Sequence, residues 1–125
     1  MKVLLGIGGS DDSVDALSQV VDRTADTGDD LTVAVVENPD SDAVPDEIER
    51  RVRSVLEESP LSVDDVEVRR LSGDPGPRLV ELAEREDFDQ LVLGGGQRSP
   101  MGKIAVGRIA EYVLVNARVS VKLIR

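Results

Sequence analysis

The chain has 125 residues, 40% of them hydrophobic, and a formal net charge of −10 from 25 acidic and 15 basic residues. That length suits one domain with one buried core, and such an acidic surface repels nucleic acid and anionic membranes. Because the chain has no cysteine and no histidine, it excludes a disulfide, a thiolate nucleophile, a zinc site of the usual ligands and a Ser-His-Asp triad.

The excess of carboxylates predicts an acid-rich, solvated surface, and adaptation to high salt is the reason we favour for it. A specific cation-binding role is the alternative. The apolar run at the start of the chain is too short for a signal peptide, and no segment is long enough to span a bilayer. We therefore expect a cytoplasmic protein.

The first half of the chain alternates short apolar runs with segments of helical period. The run from Val3 to Ile7 predicts a buried strand, and the helix after it ends at Gly28. A second strand spans Leu31 to Val36, and a second helix begins at about Pro45. On the first helix, the residues spaced for one buried face are Val14, Leu17, Val20, Val21 and Ala25.

The second half continues this alternation. Val66 to Leu71 predicts a third strand at an edge of the sheet, and Gly73-Asp74-Pro75 opens a third helix. Strands four and five span Gln90 to Leu93 and Val119 to Ile124, with a fourth helix between them. Its predicted buried face consists of Val106, Ile109, Ala110, Val113 and Leu114. Residues 1–125 thus predict one α/β domain with a doubly wound, open, parallel five-stranded sheet of order 3-2-1-4-5, which is Rossmann-like.

Two glycine-rich turns follow predicted strands, at Gly8-Gly9 and at Gly94-Gly95-Gly96. In a sheet of this order the first and fourth strands are neighbours across the switch point, where ligands bind in such folds. We expect both turns to face one crevice. The alternative is that these glycines merely permit tight turns and close helix packing.

The segment from Gln90 to Ala110 contains no carboxylate, although the whole chain is strongly acidic. Arg98, Lys103 and Arg108 add positive charge beside backbone amides that glycine leaves uncovered. This combination predicts a binding site for an anion, and for a phosphate group in particular. Arg98 has a simpler alternative role, which is to balance the acidic surface.

Standard motifs for this chemistry do not fit. Asp11 stands where a Rossmann fingerprint needs its third glycine, and Ile104 follows Lys103 where a Walker A loop needs Ser or Thr. A nucleophile elbow around Ser10 lacks the glycine two residues later. The sequence therefore contains no standard dinucleotide, P-loop or hydrolase motif.

The chain resembles the universal stress protein family along essentially its whole length, from Gly9-Ser10 through Gly73-Asp74-Pro75 to Val119-Ser120-Val121. The acid-rich composition is similar to that of a small, haloarchaeal-like member. Nucleotide-binding members carry G-x2-G-x9-G-[S/T] after the fourth strand. Here Gly94 and Gly107 match that pattern, whereas Gln97 replaces the second glycine and Arg108 replaces Ser or Thr.

The resemblance implies an ATP site, with Mg²⁺, in which backbone amides and side chains hold the phosphates. Its implied residues are Gly8, Gly9, Ser10, Val36, Gly94, Gln97, Arg98, Ser99, Gly107 and Arg108. ATP-binding members usually carry Asp at the position of Gly8. Losing three contacts at Gly8, Gln97 and Arg108 predicts binding weaker by roughly a hundredfold, part of which Arg98 and Arg108 recover through charge-assisted contacts.

Three functional hypotheses remain open. The first is a stress-response regulatory protein that responds to an adenine nucleotide, and the second is a dimeric interaction module that binds no nucleotide. The third is a slow ATPase with Asp11 and Asp12 as candidate magnesium or water ligands, although no motif positions a catalytic base. The resemblance also implies a homodimer paired through the strand Val119 to Ile124.

Overall fold

The computed structural model describes residues 1–8, 11–36, 44–61, 65–94, 97–98, 104–105 and 108–124. For residues 11–15, 97–98 and 104–105 the description covers the backbone. Within these ranges the strands are β1 (Lys2–Ile7), β2 (Asp30–Val36), β3 (Glu67–Leu71), β4 (Gln90–Gly94), β5 (Gln97–Arg98), β6 (Ile104–Ala105) and β7 (Ser120–Ile124). The helices are α1 (Asp11–Thr27), α2 (Pro45–Glu57), α3 (Pro75–Arg85) and α4 (Arg108–Asn116).

The main sheet is parallel and has the order β3-β2-β1-β4-β7. This is the predicted order 3-2-1-4-5, because β7 is the fifth strand of that sheet along the chain. The short strands β5 and β6 form a separate antiparallel pair. As predicted, the third strand lies at one edge; β7 forms the other, where it pairs with β4 alone among the described strands.

Local sequence signals explain where the helices begin and end. Gly28 follows α1 at a positive φ of 73°, and its amide donates a hydrogen bond to the carbonyl of Thr24 at 2.9 Å. Helices α2 and α3 each begin at a proline, which fits the first helical position because that amide has no intrahelical partner. The predicted helix starts at Pro45 and Pro75 are confirmed.

Apolar side chains cover both faces of the sheet. Helices α1 and α2 pack on one face, where their buried residues are Leu17, Val20, Val21, Ile48, Val52 and Leu56. Helices α3 and α4 pack on the other, where the buried residues are Leu79, Val80, Leu82, Ala83, Ala110 and Val113. The sheet is therefore doubly wound, as predicted.

Two predicted core positions are wrong. Ala25 is exposed, and Thr24 takes the buried position at the end of α1, with 5% of its surface exposed. Leu114 is 46% exposed, because the buried stripe of the short helix α4 follows Ala110 and Val113 and leaves the next residue at its margin. The side chains of Val14 and Val106 lie outside the described residues.

One cluster of charged side chains joins the edge strand β3 to the end of α3. Arg69 donates hydrogen bonds to Glu67, with 2.7 Å between Nε and Oε1, and to Glu86, with 2.8 Å between Nη2 and Oε1. The Arg69 guanidinium lowers the pKa of the Glu86 carboxyl by hydrogen bonding and by its charge. The ionised form of Glu86 is thus favoured by the folded state.

This lowered pKa predicts a pH dependence of stability. The contribution of Glu86 is present above the ordinary glutamate pKa and is lost as the pH falls through the lowered value. We expect Glu86→Gln to reduce the fall in the free energy of unfolding on acidification, as measured by urea denaturation at neutral and acidic pH. Glu111→Gln, at an exposed position on α4, is the control. Equal acid sensitivity in Glu86→Gln and the unmodified protein would contradict this assignment.

Candidate functional site

The carboxyl ends of β2, β1 and β4 meet at one edge of the sheet. The register pairs Ile7 of β1 with Val35 of β2, and Gly6 of β1 with Leu93 of β4. Val36, Gly8 and Gly94 come directly after these paired positions, so the three residues end neighbouring strands at the same edge. The predicted meeting of the first and fourth strand ends is confirmed.

Gly6 explains how closely β1 approaches its neighbours beneath this edge. A Cβ atom at this position would lie 2.9 Å from Leu93 Cδ2 and 3.0 Å from Leu79 Cδ1. Glycine lets these two leucines, from β4 and α3, fill the space beside β1. Gly6 is therefore a packing residue, and it fixes the position of the strand that leads to Gly8.

The structure describes some of the residues expected to contact a nucleotide, and others lie outside the described ranges. Gly8 and Val36 are buried, Gly94 is half-buried, and Arg108 is exposed at the first position of α4. The backbones of Gln97 and Arg98 form β5. The remaining expected residues, Gly9, Ser10, Ser99 and Gly107, lie outside the described residues, as does Lys103.

The segment between β4 and α4 contains a structure that the sequence analysis missed. Gln97 pairs with Ala105, and Arg98 pairs with Ile104, in a small antiparallel ladder. The backbone after Gly94 therefore turns back on itself before it reaches α4. Strands of two residues have no apolar alternation to detect, and no sequence signal identified this pair.

Arg108 begins α4, where the partial positive charge of the helix dipole disfavours a cation. Within the described ranges, no carboxylate forms an ion pair with its guanidinium. Gly94 lies at the other end of the segment that joins β4 to α4. Because it has no side chain, a ligand can approach its backbone closely. An anion held between the two ends of this segment would satisfy the amides of the helix start and the charge of Arg108.

Two features were searched for among the described residues: a membrane-spanning helix and a metal-binding cluster. None of the described helices is long and apolar enough to cross a membrane. Among the residues whose side chains are described, no three acidic groups are arranged to hold a metal ion.

Comparison with solved structures found close matches to the fold. A universal stress protein in complex with cAMP is 25% identical, with a TM-score of 0.74 over 98% of this chain and 94% of that chain. A family member from Arabidopsis thaliana with AMP bound is 16% identical, with a TM-score of 0.70 over 99% of this chain and 90% of that one. A universal stress protein from Archaeoglobus fulgidus is 21% identical, with a TM-score of 0.66 over 100% and 98% of the two chains.

Comparison with curated proteins gave no match. The model of the universal stress protein family matches residues 1–125 of this chain. That match covers every strand and helix described above, including both sides of the candidate site. The chain therefore belongs to the universal stress protein family.

Proposed function

We propose that this protein is a stress-response regulator that binds an adenine nucleotide, with ATP as the ligand, at the carboxyl edge of β1 and β4. The observation that carries the proposal is the parallel pairing of these two strands, with Gly8 and Gly94 at the same edge. Support also comes from relatives of the same fold whose structures contain cAMP or AMP.

In this proposal the nucleoside lies against Val36, Gly8, Gly9 and Ser10, and the phosphates lie along the segment from Gly94 to Arg108. Because Gly8 has no side chain, it contributes only backbone groups. Arg98 and Arg108 supply the charge that favours phosphate, with Gln97, Ser99 and Gly107 completing the loop. The side chains of Asp11 and Asp12, the candidate magnesium ligands of the sequence analysis, lie outside the described residues. In this proposal the phosphates hold any bound Mg²⁺.

Calorimetric titration with ATP in concentrated salt, with and without Mg²⁺, tests this proposal. We expect saturable binding of one nucleotide per chain. The substitutions at Gly8, Gln97 and Arg108 make this binding weaker than that of family members with the full motif. Absence of binding at millimolar ATP would contradict the proposal and favour a family member that acts as an interaction module.

The acidic composition supports adaptation to high salt as a second part of the proposal. At a net charge of −10, self-repulsion destabilises the compact state. Raising KCl from about 0.01 M to about 1 M shortens the Debye length from roughly 30 Å to roughly 3 Å. We therefore expect Tm to rise over this range, and to rise less in the double variant Asp22→Asn, Asp26→Asn, which removes two exposed charges from α1. A constant or falling Tm would refute salt adaptation.

We also propose that two chains pair through β7. Among the described strands β7 pairs with β4 alone, so its other edge is open there, and the exposed residue at its start is Ser120. Pairing with a second β7 would satisfy the backbone groups on that edge. Sedimentation velocity at micromolar concentrations should show a species of twice the chain mass, 13.5 kDa. A single monomeric species throughout that range would rule out this assembly.

A further inference from the structure

We infer that a second ligand site, for an organic carboxylate with an apolar chain, lies between α1 and β7. A groove of about 350 Å³ lies there, on the face of the sheet that α1 covers. Its lining includes Gln19, Val20, Arg23, Val92, Lys122 and Ile124. Small-ligand pockets have volumes of roughly 300–1,000 Å³, so the groove can accept a small organic molecule.

The register explains which side chains line the groove. Val92 of β4 pairs with Lys122 of β7, and directly paired residues of parallel strands project to the same face. Val92 belongs to the core beneath α1, and Ile124 packs against that same core. Lys122 therefore lies on the α1 side of the sheet, between two apolar neighbours.

The groove stays open because the two faces of β7 are covered unequally. On one face, Val121 and Leu123 pack against the core that α3 and α4 form. On the other, the buried residues of α1 and α2 pack over the central strands, and Ile124 is the one hydrophobic residue of β7 that packs against this core in the described part of the chain. Lys122 is consequently half-buried at the margin of an apolar surface.

The charge of this groove is opposite to that of the protein. It carries Arg23 and Lys122, while its one carboxylate, Asp29, already lies 3.1 Å from the terminal amine of Met1 and accepts a hydrogen bond from Thr27 Oγ1 at 2.8 Å. Arg23 acts on Asp29 only through space. Within the described part of the chain, neither Arg23 nor Lys122 forms an ion pair with a carboxylate.

These features specify the ligand. A carboxylate between Arg23 and Lys122 would form charge-assisted hydrogen bonds with two cations that the described residues leave unpaired. An apolar chain attached to it would cover Val20, Val92 and Ile124. The groove extends along the face of the sheet from Gln90, at the start of β4, to Ile124, which pairs with Gly94. The proposed nucleotide site lies at the carboxyl ends of β1 and β4, so the two sites are neighbours, and the cations Arg23 and Lys122 belong to the groove.

Titration with octanoate, followed by ¹H–¹⁵N NMR, tests this site. We expect octanoate to shift the amide signals of Arg23, Val92 and Lys122, and 1-octanol to bind about tenfold more weakly because it lacks the charge. Lys122→Gln and Arg23→Gln should each weaken octanoate binding about tenfold. Arg85→Gln, at a cation that is 66% exposed on α3, should leave it unchanged.

Two results would overturn the inference. One is the absence of octanoate-induced shifts at the groove, including the case in which a second copy of the chain covers it. The other is equal affinity for octanoate and octanol in the unmodified protein, a comparison that does not depend on how the variants fold. Unchanged ATP affinity in Lys122→Gln would separate this site from the nucleotide site.

Discussion

Replacing Leu5 by alanine is expected to lower the free energy of unfolding by about 2–5 kcal/mol. Leu5 is fully buried in β1, the central strand, where it pairs with Val33 of β2 and Val92 of β4. Truncation removes buried apolar surface and leaves a cavity that two flanking strands prevent from collapsing. Urea denaturation followed by circular dichroism measures the change.

The matched control is the same substitution at Leu114, which is 46% exposed on α4. Because nearly half of Leu114 is exposed and it belongs to neither buried cluster, Leu114→Ala is expected to lower the free energy of unfolding by no more than about 1 kcal/mol. Comparable losses at the two positions would contradict the description of β1 as the centre of a core with two covered faces.

Gly94→Val is expected to weaken ATP binding at least tenfold, which corresponds to about 1.4 kcal/mol. Gly94 is the last residue of β4, pairs with Ile124, and lies beside the end of β1. A valine side chain there would occupy the space through which a phosphate approaches the backbone amides. Calorimetric titration of the purified variant provides the measurement.

Gln90→Val controls for the introduction of valine into β4, because Gln90 is the first residue of the same strand and lies at the opposite edge of the sheet. We expect this variant to bind ATP with unchanged affinity. Thermal unfolding of both variants shows whether the strand still forms. Unaltered ATP affinity in a folded Gly94→Val protein would mean that the phosphates lie elsewhere.

Much of the fold could be predicted because each strand of the main sheet and each helix has a strong local signal. Buried parallel strands have continuous apolar runs, and the bounds of β1 and β2 differ from those predicted by one residue at their starts. It was harder to predict which residues at the border of a helix's buried face are themselves buried. Ala25 and Leu114 both fit the helical period of apolar residues. Whether such a residue is buried depends on how far the sheet or helix packed against it extends, and the spacing of apolar residues does not specify this.

The position of the candidate site could be predicted from the sequence, but the local structure around it could not. Strand order alone brings Gly8 and Gly94 to one edge. The β5–β6 pair has no period to detect, and it therefore appeared only in the structure. The groove beside Lys122 could not be predicted either, because it depends on the register of β7 and on the uncovered face of that strand, which are both tertiary properties.

The central claim is that nucleotide binds at the carboxyl ends of β1 and β4, and an ATP titration followed by ¹H–¹⁵N NMR tests it most directly. The two strands supply internal controls, since Lys2 and Gln90 lie at their opposite ends. We expect the amide signals of Gly8 and Gly94 to shift on addition of ATP while those of Lys2 and Gln90 stay in place. Shifts confined to Lys2 and Gln90, or a spectrum that ATP leaves unchanged, would contradict the claim.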